Sequence, residues 1–439
     1  MKVMKFGGTS VGRPERMHQV AQLVMAQNEP VMLVLSALSG TTNALVNISD
    51  AISAGRREDA AAQIDKLEAH YREFINGLLH NPAALEKAGG IVAEHFEFLR
   101  IILRISYSEA LNKDILAQGE LLSTKLFSVY LEQERVDHCL LPALSFMSID
   151  AYDEPELDMI GSRLKQLLQQ QPGKKIYITQ GYICKNARGE VDNLKRGGSD
   201  YTASLVAAAL PATVCEIWTD IDGMHNNDPR VVDKTRPVEH LSFDEAAELA
   251  YFGAKILHPA SIWPAQLYKV PVKLLNTMQP EAKGTLITEE AASAGVKAIA
   301  AKDGITAIKI KSSRMLLAYG FLRKIFEVFE KYRTPIDMIT TSEVAVSLTV
   351  DSDAQLDTIV RELQPFGNIE IDRNETIISV VGHELASDET LLQRLFAGLQ
   401  GLPVRMVSYG GSPHNISLLV PGNEKKQVLQ RLNAALFRF

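Results

Sequence analysis

Short runs that are apolar at nearly every position alternate, along the first two thirds of the chain, with longer segments of helical periodicity. Val3–Phe6, "VMLVLSAL" (31–38), "KIYITQG" (175–181), "VCEIWTD" (214–220) and "VPVKLLN" (270–276) are the apolar runs. Strands read this way when helices cover both faces of their sheet. Segments 14–27, 41–78 and 83–112 carry the helical pattern, and Phe96, Leu99, Ile102 and Leu103 form one stripe in the last of them. An α/β sandwich with a mainly parallel sheet is expected for residues 1 to about 293, with ligands gathered at the carboxyl ends of its strands.

The texture changes near Val296, where a repeat begins. "RTPIDMIT" (333–340) is echoed by "GLPVRMVS" (401–408), an offset of 68, and "VAVSLTV" (344–350) by "HNISLLV" (414–420), an offset of 70. An amphipathic helix precedes each copy, "GFLRKIFEVFEKY" (320–332) and "ETLLQRLFAGL" (389–399). Two small α+β modules with antiparallel sheets are expected. Helices cover only one face of each, so the sheets should pair with each other or with another subunit.

Length and composition narrow the picture only a little. A chain of 439 residues implies two or three domains. A net charge of -7 argues against a general nucleic-acid binder without excluding a local cationic pocket. Cys139, Cys184 and Cys215 are scattered and form no C-x-x-C pair, which speaks against zinc or a disulfide framework and fits a reducing cytosol. Lys5 falls too early for a signal peptide, and no apolar run reaches membrane-spanning length, so a cytoplasmic protein is expected.

Chemistry concentrates where strands end. In "MKVMKFGGTSVG" an ammonium, Lys5, meets Gly7 and Gly8 and then Thr9 and Ser10, either of which could cap a following helix. The spacing is not that of the usual nucleotide loop; the plain alternative is a solvent-facing lysine before a structural turn. "VLSALSGTTNAL" (34–45) places Ser36 and Thr42 at another strand end, as anion ligands or as ordinary caps. "LKRGGSDYTAS" (194–204) combines the planar fork of Arg196, two glycines, Ser199 and Asp200 ahead of a small-residue helix, more than a cap needs. "IWTDIDGMHNNDPRVV" (217–232) leaves a strand at Thr219 and Asp220 and runs through His225 to Arg230, a loop suited to ribose and polyphosphate or simply a turn. "GAKILHP" (253–259) sets Lys255 among apolar neighbours, where it faces a ligand or snorkels; His258 reads as structural. Glu120, in "AQGELLST" (117–124), starts a helical stretch and is either part of a cap or an acceptor for a substrate ammonium.

Cations (Lys5, Arg196, Arg230, Lys255) and acids (Glu120, Asp200, Asp220) of this kind suit phosphoryl transfer from a nucleotide to a small charged acceptor, a reaction made mostly of positioning and charge stabilisation. A carboxylate acceptor, with an ordinary pKa of about 4, needs no general base.

At this point the sequence closely resembles the aspartate kinases. The matching motifs are "KFGGTSV" (5–11), "LSALSGTTN" (35–43), "GE" (119–120), "RGGSDYTA" (196–203), "WTDIDG" (218–223), "DPR" (228–230) and "GAKILHP" (253–259). The resemblance implies an amino acid kinase-like three-layer sandwich at 1–293, a first ferredoxin-like ACT domain at 294–382, and a second at 383–439 completed by a strand from about 296–301. It implies ATP-dependent phosphorylation of the side-chain carboxylate of L-aspartate, the first step towards lysine, threonine and methionine. Lys5 would stabilise the moving phosphoryl group and Asp200 would organise Lys5. Ser36, Thr42, Glu120, Arg196 and Ser199 would bind aspartate, with Glu120 on its ammonium and Arg196 on its α-carboxylate. Gly7 and Gly8 would line the phosphate path, and Thr219, Asp220, His225, Arg230 and Lys255 would face ATP. Mg²⁺ would be held largely by the phosphates. Two departures stand out: His225 where lysine-sensitive relatives often carry a tyrosine, and Asp222 where proline or another residue is common. The ACT portion resembles the lysine-sensitive class, with Met315, Gly320, Asp337, Thr341, Ser342 and Glu343 as candidate contacts to L-lysine; acids exposed at loop ends are the simpler alternative. A homodimer through the ACT domains is implied, with a tetramer left open, and no fused homoserine dehydrogenase is expected after residue 420. The competing accounts are a same-fold kinase acting on glutamate, carbamate or a nucleoside monophosphate, and an amino-acid sensor without activity.

Overall fold

The structure, a computed structural model, describes residues 1–194, 197–253, 257–291, 293–312, 315 and 319–437. The chain divides into two compact units, Met1–Met224 with Leu257–Glu289, and His225–Ile256 with Glu290–Phe439.

All five apolar runs of the first unit become strands. Ile176–Gln180, Val31–Leu35, Lys2–Phe6, Cys215–Thr219 and Val272–Asn276 lie side by side in that order and run parallel. Four short strands among the described residues of this unit were not visible in the pattern: His138–Leu140, parallel beside Ile176–Gln180; Thr285–Thr288, antiparallel beside Val272–Asn276; and Ile183–Lys185 with Val191–Asn193, a separate antiparallel pair. In-register pairing sets Gln180, Leu35, Phe6 and Trp218 in one row across the sheet. The motif residues Ser36, Gly7 and Thr219, and Gly181 beside them, each follow that row by one position. A shared edge is thus produced by strand register alone.

Met4 and Phe6 enter a core formed with helices Thr41–Ser53, Arg57–Leu78, Pro82–Ile102 and Glu109–Gln133. Alternation along the strand turns Lys5 to the opposite face, where helix Gly198–Ala209 packs. The helical pattern over 41–78 is two helices rather than one, broken where Gly55 takes a φ of 74°. The pattern over 83–112 is likewise divided, because the Ser108 hydroxyl accepts from the Leu111 N–H and caps a new helix. Within that 25-residue helix Glu120 is an interior residue, so the expectation that it begins a helix, and with it the capping explanation, is overturned. Neither Thr9 nor Ser10 caps the first short helix, Gly8–Val11; Gly7 occupies its cap, and the Ser10 hydroxyl bonds Thr277 Oγ1 at 2.7 Å.

In the second unit the repeat appears as helix Phe321–Lys331 followed by strands Ile339–Thr341 and Ala345–Val350, and helix Leu391–Gly398 followed by Met406–Ser412 and Asn415–Pro421. The two modules share one six-stranded antiparallel sheet rather than forming two sheets. Its middle strands, Gly295–Lys311 and Asn368–His383, run through both modules. Ile308, Ile325, Phe329 and Leu348 centre one core; Ile378, Leu395, Leu418 and Leu432 centre the other. Val232 joins the second core. Helix Phe243–Tyr251, closed by a Ser242–Glu245 capping box, packs against the middle strands.

Candidate active site

Lys5, one position before the first unit's strand-end row, meets Asp200 of helix Gly198–Ala209. The Lys5 ammonium lies 2.6 Å from Asp200 Oδ1, and that oxygen has no other hydrogen-bond donor among the described residues. Lys5 is only 8% exposed, which disposes of the solvent-facing alternative. Asp200 stands in the first turn of Gly198–Ala209, where the helix dipole favours a carboxylate. Gly197 leads into that helix at a φ of 67°, and a Cβ there would lie 2.6 Å from the Ser261 Cβ. Gly7 is adjacent: a Cβ on it would sit 3.4 Å from the Lys5 nitrogen. A Cβ on Gly8 would come within 2.9 Å of the Ala37 carbonyl oxygen, so this turn packs directly on the one that carries Ser36.

That neighbouring turn is tied to Glu120. Ser36 donates its N–H to the Phe6 carbonyl (3.2 Å) and accepts at its own carbonyl from the Ser123 hydroxyl (2.8 Å). The Ala37 N–H donates to Glu120 Oε1 at 3.3 Å, while Glu120 Oε2 is buried with no partner among the described residues. Burial in this setting pushes the Glu120 carboxyl up to about 7, against the pull of the Ala37 N–H. A buried carboxylate with one oxygen unanswered is a receptor for a cation. Thr42 is half-buried in the first turn of Thr41–Ser53, and its neighbour Thr41 bonds the buried Tyr71 hydroxyl at 3.0 Å.

Ser199 is buried against Gly181, where a Cβ would fall 2.3 Å from both the Ser199 Cβ and Oγ. Tyr182 follows with a φ of 68°, held by its N–H donating to Thr202 Oγ1 at 2.9 Å. Sequence reasoning overlooked Gly181 and the Ala37 N–H; the glycine closing "ITQG" at a strand end was the available signal.

On the proposed nucleotide side, Thr219 donates its hydroxyl to Asp220 Oδ1 at 3.2 Å and Asp220 is exposed. His225 and Arg230 belong to the second unit. There His225 Nδ1 is 3.2 Å from Thr235 Oγ1, and Arg230 is held bidentately by Asp228, its Nε and Nη2 at 2.9 and 2.8 Å from the two carboxylate oxygens. Arg196 and Lys255 lie outside the described residues. His258 is structural as expected: its Nδ1 accepts from the Ala260 N–H and caps Pro259–Leu267. No group of three or more His, Cys, Asp or Glu side chains among the described residues is placed to hold a metal ion.

Of the effector candidates, Asp337 is buried, its side chain 2% exposed, and pairs with Lys302 at 2.7 Å while accepting from the Tyr251 hydroxyl at 3.0 Å. The exposed-acid alternative therefore fails for Asp337 but describes Glu343, which is exposed along with Thr341 and Ser342. Gly320, at a φ of 75°, caps Phe321–Lys331, and Met315 packs on the first module's core.

Parallel strand ends presenting a paired lysine and aspartate, with two glycine turns beside them, suit phosphoryl transfer to a small molecule, a reaction of positioning and charge stabilisation. In keeping with this, the model of the amino acid kinase family matches residues 1–276 and that of the ACT domain residues 378–436. The chain is 33% identical to the lysine-sensitive aspartokinase 3 of Escherichia coli (strain K12) over 449 residues, covering 99% of each. The structure of E. coli aspartokinase III in complex with aspartate and ADP (R-state) superposes with a TM-score of 0.85 at 31% identity, and that of its complex with lysine and aspartate (T-state) with 0.81 at 32%, each covering 100% of both chains. The chain belongs to the aspartokinases of the amino acid kinase family. No helix among its described residues is long and apolar enough to cross a membrane.

Proposed function

We propose that this chain transfers the γ-phosphoryl group of ATP to the side-chain carboxylate of L-aspartate, giving 4-phospho-L-aspartate and ADP. The observation that carries the reading is the Lys5–Asp200 pair, 2.6 Å apart beside the strand-end row, with Lys5 buried. A carboxylate oxygen of aspartate attacks the γ-phosphorus, the bond from that phosphorus to the β,γ-bridging oxygen breaks, and ADP leaves with the electron pair. No proton moves, because the acceptor is already ionised near neutral pH. Lys5 meets the charge that builds on the phosphoryl oxygens, and Asp200 holds its ammonium in place.

Glu120 takes the aspartate ammonium, answering its unpartnered Oε2. Ser36, Thr42 and Ser199 bind the acceptor from their turns, and Arg196, by its motif, the α-carboxylate. Gly7 and Gly8 keep the phosphate path clear of side chains. Thr219, Asp220, His225, Arg230 and Lys255 serve the nucleotide. Mg²⁺ would be held largely by the phosphates of ATP and would neutralise their charge.

L-Lysine inhibits by binding the first ACT module, with Asp337 and Glu343 as counter-charges and Met315, Gly320, Thr341 and Ser342 around it. The ACT modules pair between subunits as a homodimer. Trapping the product with hydroxylamine tests the central reading. Aspartate with ATP should yield a hydroxamate, whereas glutamate, carbamate and nucleoside monophosphates should not; no hydroxamate from aspartate would refute it.

A further inference from the structure

The loop bearing His225 and Arg230 is fastened from inside the C-terminal module by one buried side chain. Asn433 lies on helix Lys425–Leu436 and is 4% exposed; Asn226 and Asn227, in the loop, are 1% and 3% exposed. Asn433 Oδ1 accepts from Asn226 Nδ2 at 3.2 Å and from Asn227 Nδ2 at 3.3 Å, and Asn433 Nδ2 donates to the Lys234 carbonyl at 2.9 Å. Each amide has its orientation fixed by a backbone partner. The Arg236 N–H donates to Asn226 Oδ1, the Asp228 N–H to Asn227 Oδ1, and Asn227 Nδ2 also reaches the Leu429 carbonyl. The Ile299 N–H adds a bond to the Asn226 carbonyl at 2.8 Å, and Val232 is buried in the same core. Both ends of the 226–236 loop therefore converge on one asparagine.

We propose that Asn433 is a positioning residue for nucleotide binding: it sets the loop that presents His225 and Arg230 to ATP, so that packing of the last helix tunes ATP affinity. This rests on the assignment of His225 and Arg230 to the nucleotide. A buried amide network holds one geometry because the alternative leaves several polar groups unanswered.

The test is steady-state kinetics on the full-length Asn433→Leu variant, with Arg230→Ala and Leu432→Ala alongside. Leu432 is fully buried in the same core and, being apolar, makes no hydrogen bond to the amides, so its truncation loosens the helix without removing a bond that holds the loop. Asn433→Leu should raise KM for ATP about tenfold, with KM for aspartate within about twofold of the parent. Leu432→Ala should lower the melting temperature yet leave KM for ATP unchanged. An unchanged KM for ATP in folded Asn433→Leu, or an equal rise in Leu432→Ala, would overturn the proposal. If Arg230→Ala also left KM for ATP unaltered, the fault would lie in the nucleotide assignment, and absence of aspartate-dependent turnover in the parent would instead remove the functional reading beneath both.

Discussion

Replacing Glu120 with glutamine separates what this residue does for substrate from what it does to the fold. Its carboxyl is 3% exposed, has one N–H partner, and is pushed up by burial to about 7 from an ordinary 4.5. An acid whose folded pKa is raised prefers to stay protonated in the fold. The penalty for ionising it begins as pH rises past the unfolded value and is complete above about 7. A displacement of about 2.5 units corresponds to about 3 kcal/mol at pH 8. Glu120→Gln should therefore stabilise the unliganded protein by up to that amount at pH 8, and the gain should vanish below about pH 4.5. Aspartate binding runs the other way. An incoming ammonium requires the ionised carboxylate, so apparent affinity should fall about tenfold from pH 8 to pH 6, where the protonated form outnumbers the ionised one by about ten to one. The assays are urea unfolding at several pH values and KM for aspartate across pH 6–8, at saturating ATP. A flat KM profile in the parent, or the same slope in Glu120→Gln, would refute the assignment of the ammonium to Glu120.

Other consequences can be checked more briefly. Lys5→Met should reduce kcat by about 10²–10³-fold in the hydroxamate assay while the protein remains folded, because it removes charge stabilisation at the transferring group. Gly181→Ala should raise KM for aspartate and destabilise the fold by about 1–3 kcal/mol, since the new methyl would sit 2.3 Å from Ser199; a wild-type KM would show that Ser199 does not bind substrate. Asp337→Ala should raise the lysine concentration needed for half-inhibition at least about tenfold, the scale of a lost buried charge partner. Titration calorimetry with lysine gives the direct reading, and unaltered binding would exclude Asp337 as a contact.

Much of the fold was legible because its strands are buried on both faces and so announce themselves as continuous apolar runs; all five entered the parallel sheet. Short strands such as His138–Leu140 carry too few residues to show a pattern. Helix breaks were harder, since apolar periodicity carries across Gly55 and across the Ser108 cap without interruption. Lys5 and Asp200 could be singled out from their glycine-rich surroundings, but their pairing comes from the register of Lys2–Phe6 against its neighbours and from helix Gly198–Ala209 packing beside it. Glu120 looked like the start of a helical stretch of apolar and small residues; Gly119 beside it is small because it packs on Ala37, where a Cβ would lie 2.8 Å from the alanine methyl. Nothing local marked Asn433, whose loop partners lie about two hundred positions earlier in the chain.

The two middle strands of the C-terminal sheet have a bearing on how this region came to be and how it can come apart. Residues 295–302 of one strand pair with 377–383 of the other, while 307–311 pair with 368–372, with register shifts between the two stretches. Each repeat thus borrows backbone from beyond its own borders, and severing the polypeptide between the copies would leave both with raw sheet edges. The duplicated halves are spliced into a single cooperative block, expected to melt together in one step and to resist excision as independent cassettes.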